Sequence, residues 1–182
     1  MHSIVPATVG KVVFIHMEPQ EDVLESLMTA IEREQLKSGL ILTITGALSE
    51  GRLSAPVRPE GVQESPGFIE FSGLSEVQGG GYFGWNVDDW RNDKSQIRFD
   101  KGRPHIHCHM SVSNGGRAFV GHLIEGCKVR SVYPISHFVA VLAETPGVDL
   151  TLHCSEETSE QYPYGIPYYG VEASSDPAGA GP

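Results

Sequence analysis

The stretch RPHIHCHMSVSNGGRAFVGHLIEGC, residues 103–127, holds four of the chain's eight histidines. Between Arg103 and Ser113 the residues alternate. Ile106, Cys108, Met110 and Val112 fall on one side, and His105, His107, His109, Ser111 and Ser113 on the other. A period of two means a strand with the histidines on one face. Asn114-Gly115-Gly116 then gives the strongest short signal for a tight hairpin, and RAFVGHLI returns as its partner. If Asn114 and Gly115 form the turn, His122 lies opposite His107; if Gly115 and Gly116 form it, His122 lies opposite His109. Both registers put His122 on the histidine face, and only a three-residue loop would turn it away.

Neighbouring strands lie about 4.8 Å apart, and same-face residues of one strand about 6.6 Å apart. Two adjacent histidines plus one across the ladder can therefore converge on one ion at about 2.0 to 2.1 Å. His105, His107 and His109 together span about 13 Å, so one of the outer pair is expected beside the ion rather than on it. Three nitrogen ligands leave a coordination position open, as in catalytic zinc sites. There a bound water becomes a nucleophile or base and the ion polarises a carbonyl. A three-histidine set also suits non-haem iron and oxygen. Glu125, three residues past His122, is the nearest carboxylate for proton transfer, and His105 is a second candidate.

Working outward, GKVVFIHM (10–17) reads as a first strand. In residues 20–39 Val23, Leu24, Leu27, Met28 and Ile31 recur at helical spacing, acids crowd the first turn, and Lys37 and Gly39 mark the expected end. Residues 40–48 form a nearly continuous apolar strand, 52–66 an edge strand plus loop, and 67–78 another strand. The segment 79–102 carries Gly79-Gly80-Gly81 and both tryptophans. It reads as a projecting hairpin, either a surface decoration with its aromatics packed on the sheet or a lid over a site. Residues 137–144 and 148–154 are two more strands, and ASSDPAGAGP at the end reads as disordered.

The 182 residues suffice for one domain whose core needs neither disulfides nor metal. A formal charge of -10 without any basic run makes nucleic acid an unfavourable partner. Three cysteines at no zinc-ribbon spacing, and an N-terminus without signal-peptide features, lead to the expectation of a reduced, cytoplasmic protein. No apolar run approaches the roughly 20 residues of a membrane span.

Four segments, MEPQEDVLESL (17–27), ITGALSEGRLS (44–54), FIEFSGLS (68–75) and GRPHIHCHMSVSNGGRAFVGHLIEGCKV (102–129), together resemble the PPC (plants and prokaryotes conserved) domain family. The resemblance covers roughly residues 10 to 145 and implies an α/β (α+β) domain with a mixed, largely antiparallel sheet and one main helix, in which the 79–101 segment is an insertion. The domain is expected to span residues 1–154, and composition leads to the expectation of a Tyr/Pro/Gly-rich, partly disordered extension at 155–182. The resemblance also implies a homotrimer and a metal held by the His-x-His pair and the histidine of Gly-His-Leu, which fall on His107, His109 and His122. Plant members accompany an AT-hook and associate with DNA; this chain has no AT-hook. His16 stands where the family often has arginine. With His137, Tyr82, Trp85 and Trp90, it is expected among the contacts to a small carbonyl or carboxylate substrate, and zinc is the expected ion.

Overall fold

The computed structural model of the chain describes residues 4–57, 65–92, 97–130, 137–158 and 164–174. Its elements are β1 (Val12–Met17), α1 (Val23–Arg33), β2 (Gly39–Val57), β3 (Ser65–Asn86), β4 (Trp90–Asn92), β5 (Ile97–Phe99), β6 (Pro104–Asn114), β7 (Arg117–Leu123), β8 (Lys128–Val129), β9 (Phe138–Glu144), β10 (Val148–Cys154) and β11 (Pro167–Ala173). The fold is α+β, with a single helix among the described residues.

The main sheet runs β1-β9-β2-β7-β6-β3-β10-β11, and β2 also pairs with β3. β2 therefore has β3 along one edge and β9, β8 and β7 in turn along the other. Because β3 pairs with β6 and β6 with β7, the four strands β2, β3, β6 and β7 close into a circuit. All these pairs are antiparallel; β10 joins β3 in parallel, which makes the sheet mixed.

α1 covers one face of this sheet. Asp22 caps it, accepting from the amides of Leu24 and Glu25 at 3.1 and 3.4 Å. The helix buries Val23, Leu27 and Ile31 against Ile44, Leu53, Phe83, Met110, Leu123 and Leu142. It ends at Arg33, short of the expected Lys37 and Gly39. Gln35 adopts a left-handed φ of 57°, and Gly39 already belongs to β2, in close contact with the Phe83 ring and the Ala143 carbonyl.

Two expected strands, 40–48 and the start of 52–66, are one strand, β2, with bulges at Ile41/Ile44 and Leu48/Glu50; residues 58–64 lie outside the described residues. The glycine run is the larger correction. Residues 79–86 do not project but continue β3 through the middle of the sheet. Gly81 sits where any Cβ would run into the His107 carbonyl, and a Cβ at Gly79 would lie 2.8 Å from the His109 carbonyl. The three glycines mark close strand approach, not a turn. Among the described residues, only the short strands β4 and β5 lie outside the main sheet. The 155–182 segment also contributes to the sheet: β11 pairs with β10 from Pro167 to Ala173. The tail expected to be disordered lies, from residue 175, outside the described residues.

Candidate metal centre

The turn after β6 decides the site. Gly115 and Gly116 have φ of 56° and 80°, the left-handed pair that a two-residue hairpin turn of matching twist requires. Asn114 then pairs with Arg117, and counting back places His109 opposite His122. On the other edge of β6, Tyr82 faces His107, while Gly80 and Gly84, opposite His109 and His105, present no side chain. Even-numbered residues of β3 and odd-numbered residues of β6 thus share the face directed away from α1 and the core. Asp22 anchors the far end of β7, accepting from Gly126 N at 2.7 Å.

One potential ligand nitrogen from each of His107, His109 and His122 lies within 4.8 Å of the others. The His107 and His109 rings are near-parallel at 5.2 Å, and His122 stands edge-on to both, at 4.8 and 5.5 Å. Tetrahedral zinc with imidazole ligands needs nitrogens about 3.4 Å apart, so side-chain rotations of about 1 Å suffice to close the set. Burial, reinforced by the neighbouring imidazoles, holds His122 down to about 3 and lowers His107. Both are neutral imidazoles near pH 7, with lone pairs available. The donor set and its spacing fit a divalent ion.

His105 lies on the same face but does not join the group. It is 1% exposed, and burial pushes it down to about 3. Its Nε2 is 2.8 Å from Tyr169 Oη, and the same oxygen is 2.7 Å from His107 Nδ1. Tyr169 comes from β11 and meets Tyr82 edge to face at 5.4 Å. Burial, aided by Tyr82, raises its phenol, which stays protonated. Sequence reasoning missed this residue because 155–182 read as a tail. The signal was PYYGVEA, a short β-prone run following the turn residues Tyr164-Gly165.

The other expected residues are dispersed. Tyr82 is at the site, stacked on His107 at 4.8 Å and 7°. Trp85, by its odd position in β3, faces the core side instead and donates its indole N–H to the Leu36 carbonyl at 3.1 Å. Trp90 is buried, donates to the Gly165 carbonyl at 2.9 Å and stacks on Phe99; the ring contacts that lead from it to His107 pass through Phe99, His105 and Tyr169. His16, exposed and 3.7 Å from Glu18, lies at the β1–β9 edge. β9 meets β2 at Thr45 whereas His122 meets it at Ser54, so nine residues of β2 separate the two places. His137, exposed just before β9, shares that remote edge. Period-two reasoning fixes a face within one strand but not which strands become neighbours, so it says nothing of how far His16 and His137 stand from His122.

Glu125 is exposed in the turn after β7. With His122, Phe99, Met28 and Arg103 it borders a cavity of about 250 Å³. Of the three histidines His122 alone borders this cavity, whose walls include Leu24 and Met28 of α1; a larger, open cleft of about 670 Å³, lined by Glu50, Arg52, Glu70 and Glu125, meets none of the three.

A strand-rich domain, with one helix among the described residues and three converging imidazoles on the outer face of its sheet, defines the class of protein. The sequence matches the model of the Plants and Prokaryotes Conserved (PCC) domain over residues 5–141, and the chain belongs to that family. Solved structures share the fold. A metal-containing protein from Archaeoglobus fulgidus superposes with a TM-score of 0.63 at 13% identity, over 91% of this chain and 98% of that one. A plant- and prokaryote-conserved (PPC) protein from Pyrococcus horikoshii gives 0.61 at 19% identity, over 85% and 92%. A chain from Bacteroides thetaiotaomicron, described provisionally as DNA-binding, gives 0.57 at 14% identity, over 90% and 96%. No curated protein matches the sequence. Among the described residues no helix is long and apolar enough to cross a membrane.

Proposed function

We propose that this chain holds a divalent ion, zinc by preference, on His107, His109 and His122, and uses it on a small carbonyl- or carboxylate-containing metabolite by hydrolase, lyase or isomerase chemistry. The observation that carries the reading is the spacing of the three imidazole nitrogens on an outward face, with no carboxylate or thiolate grouped with them among the described residues. Such a set keeps one side open to a ligand. Zinc bound there supplies a Lewis acid and a water of lowered pKa. The archaeal relative described as metal-containing supports the same reading.

The chain's own residues divide the remaining work. Tyr82 lies flat on His107 and walls one side of the opening. Gly80, opposite His109, leaves the adjacent side free of side chains. Glu125, which borders the same 250 Å³ cavity as His122, is the proton carrier of this proposal, and its exposure lets it exchange with solvent. A homotrimer is part of the proposal: Leu40, opposite Tyr82, and Val120, opposite Ser111, share the histidine face and are 41% and 57% exposed, which suits burial against further copies. A light-scattering mass of three times 19.8 kDa is expected.

Elemental analysis of the purified protein tests the centre. About one zinc per chain, lost in His122→Ala, supports it; iron in that place would turn the proposal toward oxygen chemistry; no bound metal in a protein offered zinc would end it. DNA association is the competing reading. The charge of -10 opposes it, and tight, salt-sensitive duplex binding would displace the enzymatic proposal.

A further inference from the structure

The hairpin of β10 and β11 lies beyond residue 141, where the family match ends, yet it delivers a hydroxyl into the histidine cluster. Tyr169 Oη sits 2.7 Å from Nδ1 of His107 and 2.8 Å from Nε2 of His105. With its Nδ1 engaged, His107 has only Nε2 to offer an ion. A neutral imidazole carries one hydrogen, so Nε2 has a lone pair only when that hydrogen is on Nδ1. The phenolic oxygen is the group placed to receive it.

His105 fits the same arrangement. Its Nδ1 is buried without a hydrogen-bond partner. A buried acceptor left unmet is better tolerated than a buried N–H left unmet, so its hydrogen belongs on Nε2, donated to Tyr169. An oxygen has two lone pairs and can accept from both rings, while its own hydrogen turns toward Tyr82, whose ring meets Tyr169 edge to face at 5.4 Å.

We propose that Tyr169 is a positioning residue of the metal centre: it fixes His107 as the tautomer with hydrogen on Nδ1, so that Nε2 is presented to the ion beside His109 and His122. This rests on the metal reading proposed above. Its consequence is that the C-terminal hairpin is part of the site, and that a chain lacking it would carry the three ligands with one of them unfixed. Outer partners of ligand histidines typically contribute about 10- to 100-fold to metal affinity.

The test is Tyr169→Phe in the full chain, which removes one oxygen and keeps the ring against Tyr82. Tyr168→Phe, whose ring stacks on His153 instead, is the control. Zinc affinity is measured by competition with a chromophoric chelator, and the tautomer of His107 by long-range proton–nitrogen NMR on zinc-free, histidine-labelled protein. The expected result is hydrogen on Nδ1 in the parent and in Tyr168→Phe, loss of that preference in Tyr169→Phe, and zinc binding at least about tenfold weaker in that variant alone. Zinc binding within twofold of the parent in Tyr169→Phe overturns the inference. So does hydrogen on Nε2 of His107 in the zinc-free parent, or the same tautomer in parent and variant. A parent that binds no zinc defeats the metal reading instead, and the zinc-free spectra then judge the role of Tyr169 separately.

Discussion

Replacing His105 by glutamine should flatten the acid side of the stability curve. His105 is 1% exposed, and burial sets its folded value near 3, against about 6.5 in an unfolded chain. Because the folded value is the lower one, the unfolded state binds the extra proton below pH 6.5, and stability falls as pH drops from there toward 3. Linkage gives a loss of about 2 kcal/mol from this one group at pH 5, and essentially none at pH 7.5. That figure barely changes for any folded value under about 4, since at pH 5 the unfolded side dominates. It is large beside a total stability of about 5–15 kcal/mol. The assay is urea unfolding at pH 7.5 and pH 5.0, with chelator present so that zinc linkage adds nothing. His107 and His122 push in the same direction but stay in both proteins, so the difference of differences isolates His105. Glutamine should reduce stability at pH 7.5, where it fits less well, and yet recover about 2 kcal/mol of the acid-induced loss. Equal losses in parent and variant between the two pH values would refute the reasoning and mean that His105 reaches water or a proton donor.

Zinc at a hundredfold excess over its dissociation constant should stabilise the parent by about 2.7 kcal/mol, read as a rise in thermal midpoint, and leave His122→Ala unmoved. An equal rise in both would place the ion elsewhere. Gly81→Ala should destabilise by about 1–3 kcal/mol or prevent folding, because its Cβ meets the His107 carbonyl across the β3–β6 ladder; Gly73→Ala, with nothing around its Cβ, tests strain alone, as its φ is 84°. Denaturant midpoints compare the two, and a Gly81→Ala protein as stable as the parent would show that the strands can part. Asp22→Ala removes the helix cap and the bond to Gly126 N, and should reduce stability by about 1–2 kcal/mol in the same assay, with no effect expected if the helix start is held by packing alone.

The strand, the turn and the shared face of His105, His107, His109 and His122 were legible in the sequence, because side-chain alternation and the glycine pair are local properties of the backbone. The choice of Gly115-Gly116 over Asn114-Gly115, and hence His109 rather than His107 opposite His122, was left open by the residue pattern, since both dipeptides suit a tight turn; the left-handed φ of Gly115 and Gly116 and the pairing of Asn114 with Arg117 settle it. The glycine run deceived because a glycine required by a neighbouring carbonyl looks, in one dimension, like a glycine required by a turn. Trp85 was misplaced by the same error, since only a continuous β3 assigns its side.

By itself, then, the sequence determined which side chains of the histidine strand share a face and where that strand reverses. Tertiary structure alone decided which strand edges meet, and with them the closed circuit around the core and the arrival of Tyr169 from some sixty residues away. Pattern within a strand is set by neighbours two positions apart, whereas strand partnership is set by the burial of the whole sheet, which no local stretch encodes.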